Sequence, residues 1–117
     1  MRETPAETWI VHLCNRSAWR AALQIGEYRP PSLETEGFIH CSRPGQIVDV
    51  ANRFYPGAWD LVLLWIDPQQ VRAEIRWDAV DEQVFPHIYG PLNLTAVLAV
   101  DEFCPGTDGV FHHTSGL

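Results

Sequence analysis

The chain has no lysine. Its eight basic side chains are all arginine and stand against fifteen Asp and Glu, for a net charge of −7. A long nucleic-acid footprint needs a basic stripe, so no extended DNA or RNA partner is expected. Long apolar runs are also missing: none approaches the roughly 18 residues of a membrane span, so no membrane partner is expected. Met1-Arg2-Glu3-Thr4-Pro5 has neither the basic nor the apolar region of a secretory signal. Cysteine is scarce. Cys14, Cys41 and Cys104 form no C-x-x-C pair, and their odd number argues against a disulfide framework. Reduced thiols fit a cytoplasmic protein. There is no G-x-G-x-x-G, no Walker loop and no G-x-S-x-G, and the histidines show none of the usual metal-binding spacings, so no metal site is expected.

What is present is enough for one domain. The 117 residues, 46% of them hydrophobic, are long enough to bury a core, and the five Trp are expected in it. We expect a single domain over 1–117, with its core at about 9–103 and a loose tail over 104–117. The charge is unevenly spread. Residues 1–58 hold six Arg and six acids, whereas residues 59–117 hold two Arg and nine acids. An anionic ligand should therefore lie against the first half.

Alternation over residues 9–14 predicts a strand with Trp9, Val11 and Leu13 on one face and Ile10, His12 and Cys14 on the other. Asn15-Arg16-Ser17 opens a short helix through Gln24, with Gly26 as its stop. Residues 28–36, with Pro30-Pro31, read as a loop. Residues 37–42 read as a second strand with Phe38, His40 and Ser42 on one face. Pro44 precedes a second helix whose stripe is Ile47, Val50, Ala51 and Phe54. Leu61–Ile66 is an apolar run typical of a central strand buried on both faces. Residues 74–77, 84–89 and 94–100 read as further strands, with Asp78 as punctuation after the first of these. Helices come early and strands late, so the class is α+β.

Three histidines lie in apolar strand-like segments close to turns: His12, His40 and His87. One such residue is ordinarily a core histidine bonded to a backbone carbonyl, but three on neighbouring strands form a candidate site. Arg16 and Arg43 each lie beside a helix start, an arrangement suited to phosphate. Arg53 sits at a helix C-terminus, which favours a cation in any case.

Residues 10–13, Gly26-Glu27-Tyr28-Arg29, the run from Pro31 through Gly37-Phe38-Ile39-His40-Cys41-Ser42, Ala51-Asn52-Arg53-Phe54-Tyr55, residues 61–67 and Phe85-Pro86-His87-Ile88-Tyr89-Gly90-Pro91-Leu92 together resemble one family. It is the bacterial and plant family catalogued as domain of unknown function 952, and the resemblance runs from about residue 9 to residue 100. That family is similar to the ADP-ribosyltransferase superfamily. The resemblance implies a compact ADP-ribosyltransferase-like fold, with two small sheets and two short helices in the N-terminal half, clasping NAD. It implies catalytic positions at His12, His40, His87 and Tyr89, with Ser42 on the face of His40; together with Arg16 and Arg43 at the helix starts and Arg53, Ser42 is expected to bind the cofactor. The RNA phosphotransferase branch, which relies on His and Arg at several such places, is a precedent. One departure stands out. The strand expected to carry an acidic residue reads Phe85-Pro86-His87-Ile88-Tyr89 and has no Glu. The expectation is thus a nucleotide cleft with ADP-ribosyltransferase-related activity, taking a small anionic or nucleotide ligand. Two alternatives are a non-enzymatic sensor of a small anionic metabolite and a protein-interaction domain.

Overall fold

The computed structural model describes residues 8–112. The order of elements is β1 (Ile10–Asn15), α1 (Arg16–Ile25), β2 (Glu27–Tyr28), α2 (Ser32–Thr35), β3 (Ile39–His40), α3 (Ile47–Phe54), β4 (Leu61–Ile66), β5 (Glu74–Val80), β6 (Gln83–Tyr89), β7 (Leu92–Asn93) and β8 (Val97–Phe103). The fold is mixed α+β. Its strands form three antiparallel sheets rather than the expected two: β1-β4-β8, β2-β7 and β3-β6-β5. The extra sheet arises at Gly90-Pro91, where proline supplies no ladder donor. The chain leaves β6 there, and β7 pairs with β2.

β4 is the central strand of the first sheet, and its sequence shows why. Val62, Leu64 and Ile66 enter one core with Ile10, Cys14, Trp19 and Tyr28. Leu61 and Leu63 enter a second core with Val11, Leu13, Ile47, Val48, Ala51, Phe103 and Phe111. Period-two alternation therefore feeds apolar side chains to both faces of β1 and β4. Burial at about 25 cal/mol per Å2 makes these two cores the principal stabilising contribution.

Helix α1 follows the expected signals. The Asn15 side chain accepts a hydrogen bond from the Ala18 N–H, and Gly26 closes the helix at φ +96°, where a Cβ is unfavourable. In α3 the buried stripe is Ile47, Val48 and Ala51, and Phe54, the last residue of the helix, points outward. The segment read as a loop over 28–36 holds part of β2 and all of α2. The strand expected over 37–42 is only two residues long. Ser42 continues it as an isolated bridge, exchanging two backbone hydrogen bonds of 2.8 Å with Val11 and so joining the first sheet to the third. The strand expected over 94–100 begins at Val97, because Ala96 turns its carbonyl to the Asp67 N–H.

Two further expectations change. Of the five Trp only Trp19 is fully in the core; Trp59 and Trp77 are exposed. The tail is not loose up to residue 112. Phe111 is 2% exposed and stacks on Phe103, and the Asn52 amide both donates to and accepts from its backbone. His113 and the rest of the tail lie outside the described residues.

Candidate functional site

His12 sits in the middle of β1, paired with Leu64 on β4, rather than at a strand end. Its Nδ1 bonds the His40 carbonyl, which only accepts, so Nδ1 carries the proton. Nε2 is then the acceptor, and the Tyr28 hydroxyl donates to it at 2.7 Å. The Tyr28 hydroxyl also bears on the Cys14 thiol and lowers its pKa in part. His12 and Cys14 share a face of β1, and Tyr28 from β2 fills the gap between them. Burial pulls the His12 pKa down from 6.5 to about 4 and pushes the Cys14 thiol up to about 11. Burial likewise raises the pKa of Tyr28, which stays neutral. Both ring nitrogens of His12 are thus bonded within the protein.

A cavity of about 550 Å3 opens beside this chain of hydrogen bonds. Ala18, Ala21 and Ala22 of α1 form its apolar wall, and Tyr28, Tyr55 and Arg29 supply aromatic and cationic groups. His40 lies at its edge. The Arg29 guanidinium donates to Glu27 at 3.0 Å, and both residues are on the wall.

On its far side His40 belongs to a second cluster, on one face of the β3-β6-β5 sheet. The register sets His40 opposite His87 and His87 opposite Arg76. Side chains two residues apart share a face, so Asp78 and Tyr89 join them. His87 is almost wholly buried, its side chain 5% exposed. Its Nδ1–H donates to Asp78 Oδ2 at 2.8 Å, and the Tyr89 hydroxyl donates to the same oxygen at 2.6 Å. The hydrogen bonds from Tyr89 and His87 hold the Asp78 carboxyl below its ordinary pKa, and the bond to Asp78 raises that of Tyr89. Phe38 stacks on the His87 ring with centroids 4.2 Å apart. The His40 ring meets His87 edge-on at 5.4 Å and donates through Nε2–H to Glu36 at 2.9 Å.

The structure therefore links the three histidines in a chain without placing all of them on one cavity. His12 and His40 line it; His87 and Tyr89 do not. The other expected positions lie apart as well. Arg16 reaches Glu102 at 2.8 Å, Arg43 covers the Trp77 ring at 5.0 Å, and Arg53 stands 3.6 Å from Asp81. Ser42 serves as the buried bridge to Val11. None of these four lines the cavity. Among the described residues no group of three or more His, Cys, Asp or Glu is arranged to hold a metal ion.

Sequence reasoning missed Tyr28, Arg29 and Asp78. Tyr28 was hidden because β2 is only two residues long. Asp78 read as the end of a strand that in fact runs on to Val80. The alternation Glu74, Arg76, Asp78 against Ile75 and Trp77 was the available signal for its face.

The protein is similar to solved structures from one bacterium. The crystal structure of protein CC0527 from Caulobacter crescentus is 29% identical, with a TM-score of 0.82, over 90% of this chain and 94% of that one. The crystal structure of a double mutant of CC0527 gives the same values. Its solution NMR structure is 30% identical, with a TM-score of 0.77, over 88% and 90% of the two chains. No curated protein matches the chain. The family described as protein of unknown function, DUF952, matches over residues 13–100, and the chain belongs to that family.

Proposed function

We propose that the cavity beside α1 binds a nucleotide-type ligand, with NAD as the first candidate, and that its reacting end extends past His40, on the lining, toward His87, which lies outside it. The observation that carries this reading is the cavity itself: about 550 Å3, in the size range of ligand sites, with its edge at a histidine in ring contact with a second one. The lining suits such a ligand. Tyr28 and Tyr55 offer aromatic rings to a base, α1 offers an apolar wall, and Arg29 offers a cation to a phosphate. The similarity of the family to the ADP-ribosyltransferase superfamily adds support, and under this reading the chain has that fold. NAD, when bound, supplies an ADP-ribosyl group with nicotinamide as its leaving group. The chain's own part is to exclude water along the alanine wall and to offer imidazole nitrogens to the sugar hydroxyls. The pyrophosphate contact falls to Arg29 rather than to Arg16, Arg43 or Arg53. The reading also places the protein in a reducing compartment, the cytoplasm, in keeping with three free thiols.

Calorimetric titration with NAD is the test. Binding in the millimolar range or tighter, lost on Arg29→Ala, supports the reading, and a folded protein that does not bind millimolar NAD overturns it. A second reading is favoured by the absence of Glu from β6 and by the full occupation of both His12 nitrogens. In it the same cleft senses a small anionic metabolite without turnover. It requires binding without nicotinamide release, and affinity retained in His87→Ala.

A further inference from the structure

We infer that Asp78 and His87 form a carboxylate–imidazole dyad in which His87 Nε2 accepts a proton from a hydroxyl of the bound ligand. The identity of that ligand rests on the cleft reading above; the dyad itself does not. Four histidines lie among the described residues, and their surroundings separate them. His12 has both nitrogens bonded within the protein. His40 and His112 are largely exposed, each against an exposed carboxylate. His87 alone combines burial of the ring with a carboxylate on Nδ1 and no protein hydrogen bond to Nε2. No buried side-chain nitrogen or oxygen among the described residues lacks a partner, so His87 Nε2, which has none, is not fully sealed from solvent.

Three features hold that nitrogen in one orientation. Phe38 stacks flat on the ring, with an interplanar angle of 17°, and limits its rotation. Asp78 accepts from Nδ1–H and so fixes the tautomer that leaves Nε2 unprotonated. The Tyr89 hydroxyl, donating to the same Oδ2, fixes the carboxylate in turn. All three partners stand on paired strands or next to one, so the geometry is carried by the sheet register rather than by a loop.

The chemistry is a single proton transfer. An O–H bond of the ligand breaks and an N–H bond forms at Nε2, while the hydroxyl oxygen keeps the electron pair. The resulting imidazolium is stabilised through Nδ1–H by the Asp78 carboxylate. Asp78 is therefore a positioning residue, and His87 is the group that meets the hydroxyl. His40 lines the cavity and its ring centroid lies 5.4 Å from that of His87, so a ligand hydroxyl reaches the dyad by extending past His40.

The test starts with nitrogen-15 imidazole NMR on the unliganded full chain. The expected result is His87 protonated on Nδ1 alone; finding it as the Nε2–H tautomer would overturn the dyad. In Asp78→Asn an amide oxygen in the place of Oδ2 still accepts from both His87 Nδ1–H and the Tyr89 hydroxyl, but it carries no charge to stabilise the imidazolium. Carbethoxylation by diethyl pyrocarbonate, mapped by mass spectrometry, should modify His87 in the wild type and run at least about tenfold slower in Asp78→Asn. Equal rates in the two proteins count against the dyad. Added NAD should shift the Nε2 resonance and protect His87 from the reagent. NAD that binds without either effect removes the hydroxyl-facing role. A chain that fails to bind NAD but shows the expected tautomer and reactivity keeps the dyad and loses the nucleotide reading.

Discussion

His12 shows how one buried side chain ties pH to stability. Its pKa falls from 6.5 in the unfolded chain to about 4 in the folded one, because burial penalises the imidazolium. The unfolded state therefore binds the proton more readily. The stability that His12 contributes is fully present above about pH 6.5 and is lost as the pH falls toward 4. The loss amounts to about 3 kcal/mol. Urea unfolding at several pH values should show this slope in the wild type and its absence in His12→Gln. Tyr28→Phe removes the donor to Nε2 and leaves that buried nitrogen without a partner, and should cost about 1–3 kcal/mol in the same measurement at neutral pH. Glu27 bears on binding instead. It holds Arg29 in a pair that a phosphate must displace, so Glu27→Gln should tighten NAD binding several-fold by calorimetry. Of these residues, sequence reading singled out His12 and His40 from their apolar neighbours, and the structure puts both on one cavity wall. It did not find Tyr28 or Asp78, whose importance comes from atoms contributed by other strands.

The β5–β6 hairpin turns through Asp81 and Glu82, with φ of +48° and +67°. Two successive residues in the left-handed region match the tight turn that follows the natural twist of a hairpin, and glycine is favoured there. Glu82→Gly should relieve part of that strain and raise stability by about 0.5–1 kcal/mol in denaturant unfolding. Asp81 is better kept, since Arg53 lies 3.6 Å away. The Asn52 amide makes the opposite case. It fastens the Phe111 backbone to α3 by two hydrogen bonds, and Asn52→Ala should free the segment after Phe103 to limited proteolysis. Elements with local signals were legible: α1 from Asn15 and Gly26, α3 from its apolar spacing, β4 from its unbroken apolar run. β2 and β7 were not, because each is two residues long and exists only through its distant partner, and β3 was legible as a strand but not in its length. The clamp on Phe111 was equally hidden, since a lone Phe in a polar tail carries no period.

At the scale of the molecule, a net charge of −7 with no lysine acts as a mild self-repulsion. Added salt screens it over about 10 Å at 0.1 M. The melting temperature should therefore rise modestly with sodium chloride, and Arg16, Arg43 and Arg53 do not oppose this, because each already has a partner on the surface. The two-core arrangement has a consequence for biosynthesis. β8 and Phe111, which complete the first sheet and close its second face, leave the ribosome after every other member of the second core. Until they emerge, Leu61, Leu63 and the inner side of α3 remain uncovered while the first core already has most of its members. The nascent chain therefore presents one sticky, unfinished face to chaperones until Phe111 has emerged.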